Sequence, residues 1–142
     1  MKTCKNHMKL NLPSLSVNEG MARQAVASFI SQLNPTLEEL ADIKCAVSEA
    51  VTNAIVHGYK YKQGTVYIGV KYFDDRTVLI DIRDKGCGIE DVKKAMTPLF
   101  TTDTTGERSG MGFAVMQTFM DKLDVTSRVN EGVRVLMTKY LK

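Results

Sequence analysis

An α/β fold built as one domain over residues 1–142 is what this sequence predicts. Two capping-box sequences each open an apolar run at helical spacing, and five alternating runs read as strands, four of them joined in pairs by short turns. A chain of 142 residues has room for one ordinary hydrophobic core but not for two.

From the N-terminus, His7 to Pro13 alternates, with Met8, Leu10 and Leu12 on one side and Lys9 and Asn11 on the other, which predicts a half-buried edge strand. Ser16-Val17-Asn18-Glu19 reads as a capping box, followed by Ala22, Val26, Phe29 and Leu33 until Asn34-Pro35 ends the helix. Thr36-Leu37-Glu38-Glu39 is a second capping box. It opens a long helix through Leu40, Ile43 and Val47 that stops at Gly58. Gln63-Gly64 introduces a strand from Thr65 to Phe73, and Asp74-Asp75-Arg76 turns it into a second, Thr77 to Asp84. A further helix carries Phe113, Val115, Met116, Phe119 and Met120. Leu123 to Ser127 and Gly132 to Tyr140 then form a closing hairpin about Asn130-Glu131-Gly132.

The second helix carries the first candidate chemistry. Glu49, Asn53 and His57 recur every four residues and form one polar stripe, while Val47, Ala50, Val51, Ala54 and Ile55 face the core. An unpaired polar group in such surroundings costs roughly 2–7 kcal/mol, so the stripe needs polar partners, from solvent, protein or ligand. Asp84 ends its strand on the same side as Val78, Ile80 and Ile82, a carboxylate directed to the apolar face. Asp84-Lys85-Gly86-Cys87-Gly88 is a glycine-rich exit that suits either a tight turn or the close approach of a flat ligand. Met96 to Glu107 is a long Thr-rich connection without periodicity, the kind of segment from which lids are made. Arg108-Ser109-Gly110-Met111-Gly112 leads into a helix, so an arginine and bare backbone amides gather at a helix start and make an anion site. A dinucleotide fingerprint is excluded, because the glycine pair follows a loop and Val115 takes the third glycine's place; no phosphate-binding Gly-x-x-x-x-Gly-Lys-Ser/Thr loop exists.

Composition narrows the class further. A hydrophobic fraction of 44% and a charged fraction of 25% fit a folded, soluble protein. The excess of nineteen Lys+Arg over sixteen Asp+Glu is small and scattered, which argues against direct nucleic-acid binding. Cys4, Cys45 and Cys87 are odd in number and form no Cys-x-x-Cys pair, so the expectation is a reducing, cytoplasmic home without disulfides or zinc. No run approaches the roughly 18 apolar residues of a membrane span, and no apolar leader follows the N-terminal lysines.

Glu49/Asn53/His57 on a helix, Asp84-x-Gly86-x-Gly88 after a strand, a Thr-rich loop and Gly110-x-Gly112 at a helix start stand in one fixed order. That order resembles the ATP-binding fold shared by gyrase, Hsp90-type chaperones, histidine kinases and mismatch-repair ATPases. More narrowly, Ser48-Glu49-Ala50-Val51-Thr52-Asn53-Ala54, Pro98-Leu99-Phe100-Thr101-Thr102 and Arg108-Ser109-Gly110-Met111-Gly112-Phe113 resemble the anti-sigma F factors of endospore-forming bacteria. The resemblance covers nearly the whole chain. It implies a two-layer α/β sandwich of the Bergerat type, with a mixed sheet covered by helices, and a homodimer paired through the N-terminal strand region. It also implies a serine protein kinase using ATP and magnesium, with the sigma F factor and an anti-anti-sigma factor as partners. Under it Asn53 holds magnesium, Glu49 is the general base, and Asp84 accepts from the adenine amino group. Gly86 and Gly88 give the base room, and Arg108, Gly110 and Gly112 face the phosphates. Arg23, off the buried face of the first helix, contacts the partners. His57 matches the motif yet is read as structural, and Cys87 and Asp103 to Glu107 have no assigned role. A kinase for another sigma factor, or a module that binds nucleotide without catalysis, would use most of the same residues; only catalysis needs Glu49. A histidine-kinase core or a gyrase-type clamp would need segments for which 142 residues leave no room.

Overall fold

The computed structural model describes residues 2–96 and 111–142. Its five strands form one sheet in the order β1-β2-β3-β5-β4. β1 (Cys4–Pro13) is an edge strand, with Met8, Leu10 and Leu12 half-buried and their neighbours exposed. β2 (Thr65–Phe73) and β3 (Thr77–Asp84) occupy the spans that alternation and turn residues predict. In the turn between them, the Thr77 N–H donates to the Asp75 carboxylate at 3.0 Å. β4 (Lys122–Arg128) and β5 (Gly132–Tyr140) close the sheet through a turn in which Asn130 has φ 66°.

Every strand pairing among the described residues is antiparallel, so the sheet is not the mixed one that the resemblance implies. β3 and β4 do run in the same direction, on either side of a helical crossover. β5 inserts between them, pairing antiparallel with both, and no parallel ladder forms.

The helices α1 (Asn18–Ile30), α2 (Leu37–Asn53) and, after the short α3 (Val92–Met96), α4 (Met111–Phe119) cover one face. Val66, Ile68 and Val70 of β2 and Val78, Ile80 and Ile82 of β3 meet Val26, Ile30, Val47, Val51 and Met116 there in one core. The opposite face carries polar and aromatic side chains such as Tyr67, Asp81, Arg83 and Arg134, with Arg134 held to Asp81 at 3.0 Å. No described helix is long and apolar enough to cross a membrane.

One capping expectation is corrected. Ser16 does not cap α1: Val17 is the N-cap residue, its backbone already helical, and no side-chain cap forms. The first amides are served instead by the preceding turn, Asn18 N–H on the Leu15 carbonyl and Glu19 N–H on that of Ser16, and the Glu19 carboxylate is taken by Arg23. The second box forms in full. Thr36 Oγ1 accepts from the Glu39 N–H at 3.0 Å, and the Glu39 carboxylate accepts from the Thr36 N–H at 2.9 Å. The other oxygen of Glu39 accepts from the Lys142 N–H at 2.8 Å, tying α2 to the end of the sheet. The Thr36 amide holds the Glu39 carboxyl below its ordinary 4.5, so this carboxylate stabilises the fold above that pH and loses its contribution as pH falls through the window below it. Thr36→Ala is expected to cost about 1 kcal/mol of stability in urea melts at pH 7. Loss of under a few tenths would remove the box from the stabilising interactions.

Candidate functional site

α2 runs out into a π-helical turn, Ala54–Gly58, closed by the Tyr59 N–H on the Ala54 carbonyl at 2.9 Å. Such turns insert a residue into a helix and recur at functional sites. The carbonyls left over at a helix end need donors. Cys87 supplies two: its N–H reaches the Gly58 carbonyl at 2.9 Å and its thiol the His57 carbonyl at 3.1 Å. This gives Cys87 a local task that no sequence pattern announces. The contact also explains Gly86. A Cβ on Gly86 would collide with the Gly58 carbonyl, so its bare Cα lets the loop after β3 rest on the end of α2. Gly86 does not line the cavity described next; the room it makes is for backbone.

Between α2 and the sheet lies a cavity of about 210 Å³. Asn53, His57 and Gly58 form its helical wall, Ile82, Asp84 and Val135 its sheet wall, and Ile89 and Phe113 narrow it from the sides. Gly88, with φ 76°, also lines it. The walls are apolar apart from a few groups, as a pocket for a flat organic ring requires. Asp84 is 7% exposed. One carboxylate oxygen accepts from the Gly86 N–H at 2.8 Å, and burial pushes its carboxyl above the ordinary range against the pull of that amide. Asp84 thus makes a turn-forming bond to the backbone two residues on, and its side chain faces the cavity as well.

At the other end of the cavity α4 crosses the polar stripe. A Cβ on Gly112 would stand 2.9 Å from Asn53 Nδ2 and 3.1 Å from Glu49 Oε2, so this glycine permits a close approach of α4 to both side chains. Asn53 Nδ2 is buried and has no hydrogen-bond partner among the described residues. A half-turn of the amide exchanges Nδ2 and Oδ1, so either a donor or an acceptor can be presented there. Glu49 itself lines a separate groove of about 290 Å³ with Glu19, Arg23, Lys44, Ser48 and Thr52. Arg23 lies off the core side as expected, but it is not a free fork: Nη1 holds Glu19 at 2.9 Å and Ser48 Oγ at 3.2 Å.

Asn53, Asp84 and Gly88 thus line the cavity, Glu49 and Arg23 line the groove, and Gly112 lies against both Asn53 and Glu49. Arg108, Gly110 and the Thr-rich stretch 97–107 lie outside the described residues. No cluster of three or more His, Cys, Asp or Glu able to hold a metal ion occurs among the described residues. A cation at Asn53 would therefore draw most of its ligands from a bound phosphate chain and water, the ordinary habit of magnesium. The orphaned Asn53 amide fits that demand.

Residues 12–139 match the histidine kinase-like ATPase domain, the class that this sheet, helix layer and cavity define. The chain is 55% identical over 136 residues to the anti-sigma F factor of Thermoanaerobacter sp. (strain X514), covering 96% of this chain and 94% of that protein. It is also 55% identical over 138 residues to the anti-sigma F factor of Clostridium novyi (strain NT), with 96% of each covered. The chain therefore belongs to the histidine kinase-like ATPase domains and, within them, to the anti-sigma F factor family. Among solved structures, the RsbU and RsbW domains of a Mycobacterium tuberculosis protein superpose with a TM-score of 0.68 at 16% identity, over 96% of this chain and 33% of theirs. The catalytic domain of the histidine kinase ThkA gives 0.58 at 16% identity, over 96% of this chain and 97% of that one. At such identities the likeness is one of fold.

Proposed function

We propose that this chain is an anti-sigma factor and an ATP-dependent serine protein kinase, which holds the sigma F factor inactive and phosphorylates a serine of an anti-anti-sigma factor. What carries the reading is the meeting of Glu49 and Asn53 beneath Gly112, with Asn53 also lining an apolar cavity that holds the buried Asp84. Asp84 accepts from the adenine amino group, and the apolar walls receive the ring. Gly112, with Arg108 and Gly110, faces the phosphates. Asn53 holds magnesium through its amide oxygen; the ion supplies neutralisation of the charge that builds on the phosphates. Glu49 takes the proton from the serine hydroxyl, which approaches through the Arg23 groove. Arg23, steadied by Glu19 and Ser48, presents one surface to both protein partners, which compete for it. A second copy of the chain pairs through the N-terminal region, where β1 leaves its outer backbone groups open.

Incubation of the purified chain with labelled ATP, magnesium and the anti-anti-sigma factor is expected to transfer label to serine. ATP binding without transfer to that or any related protein would leave a nucleotide-dependent binding module. Transfer only to the antagonist of a different sigma factor would reassign the partner. Arg23→Glu is expected to weaken both protein complexes by about tenfold or more while leaving ATP affinity intact, because charge reversal adds repulsion at the contact alone. Full retention of both complexes in pull-downs removes Arg23 from the interface.

A further inference from the structure

We propose that the Tyr59 hydroxyl is a positioning residue for Asp84, and that through Asp84 it sets the preference of the pocket for an adenine ring; this rests on the reading of the cavity as a nucleotide site. Tyr59 follows the π-helical turn directly and does not line the cavity. Its hydroxyl is used twice. It accepts from the Lys85 N–H at 2.7 Å and donates to the Thr65 carbonyl at 2.7 Å, linking the exit of β3 to the start of β2. The ring lies flat against Gly64, where a Cβ would collide with it, so the hydroxyl is delivered from a fixed platform.

The Lys85 N–H belongs to the peptide that joins Lys85 to Asp84. Its carbonyl half, the Asp84 oxygen, packs against Gly132, where again no Cβ would fit. Tyr59 on one side and Gly132 on the other therefore fix the plane of this peptide, and with it the backbone from which the Asp84 carboxylate hangs. The carboxylate is also tethered by the Gly86 N–H at 2.8 Å, from the same short loop, and feels the Val133 amide of β5. Recognition of an edge amino group depends on where a single acceptor sits to within a few tenths of an ångström, because hydrogen bonds weaken steeply with angle and distance. A looser Asp84 still accepts, but discriminates less between a ring that offers a donor and one that offers a carbonyl.

Tyr59→Phe keeps the ring on Gly64 and removes only the oxygen. Calorimetric titration of wild type and variant with ATP and with GTP, alongside thermal melts, tests the idea. ATP affinity is expected to fall by about three- to tenfold with little change for GTP, the loss appropriate to one hydrogen bond acting on the ligand through its partner. An ATP-to-GTP ratio that stays at the wild-type value, whether or not the melting temperature moves, overturns the proposal. Amide hydrogen exchange on the ligand-free proteins gives a second readout. Exchange at Lys85 is expected to quicken selectively in the variant, and an unchanged rate there also overturns it. If wild type itself binds neither nucleotide, the cavity reading fails and this inference with it; wild-type binding with an unaltered ratio removes this inference alone.

Discussion

Glu49→Gln is expected to leave ATP affinity near wild type while slowing phosphoryl transfer to the partner serine by about 10²–10⁴-fold, the usual contribution of a general base. Glutamine matches glutamate in size, so the close packing of the bare Gly112 Cα against the side chain is kept. Only the capacity to take a proton is lost. Glu49 lines the Arg23 groove and not the apolar cavity, which separates the two readouts: the variant alters the wall that meets the acceptor hydroxyl and spares the wall that meets the ring. Single-turnover assays with preloaded ATP provide the measurement. Transfer within a few-fold of wild type would sink the base assignment and leave Glu49 as a structural partner of α4.

Asp84→Asn is expected to weaken ATP binding by about 10–10²-fold, because a bond to a charged acceptor contributes roughly 1.5–3 kcal/mol and a carboxamide can turn a donor toward the adenine amino group. The same substitution acts oppositely on the free protein. Burial raises the Asp84 carboxyl above its ordinary 3.8, so the folded state holds the proton more tightly than the unfolded one. Between 3.8 and the raised value the native state binds more protons, stability falls as pH rises through that window, and the cost persists at neutral pH. An uncharged asparagine carries no such cost. Thermal melts of the ligand-free variant at pH 7 are therefore expected at or above the wild-type midpoint, with a flatter dependence across the acid window. A lower midpoint together with normal ATP affinity would make Asp84 a turn former and nothing more.

Much of this layout is legible in the residues because it is local. The spans of β2 and β3 follow from alternation bounded by turn formers, and the Thr36 box from four consecutive residues. The stripe Glu49/Asn53 and the inward Asp84 follow from helix and strand periods. What escaped detection is non-local, apart from the Ser16 box, which a turn within residues 15–19 displaces. The Ser16 box fails because a preceding turn serves the same amides first, and the pairings among the described residues are all antiparallel because the last strand inserts where no pattern marks it. Tyr59 and Cys87 act on partners 26 and 30 residues away, and Gly86 is bare for the sake of the Gly58 carbonyl. No period within a window of residues records such meetings.

The insertion of β5 between β3 and β4 also governs the order in which the molecule can be completed. β3 pairs along its whole length with β5, from Thr77 against Tyr140 to Asp84 against Val133. A chain emerging from the ribosome thus presents β3 with one naked edge until residues 132–140 have been made. During that interval the edge is open to association with other nascent chains. Asp84 sits at the end of that edge, so the wall of the cavity that it shares with Val133 and Val135 is assembled only once β5 has been made. A message truncated before β5 would yield a product that both lacks one wall of the cavity and is prone to aggregate.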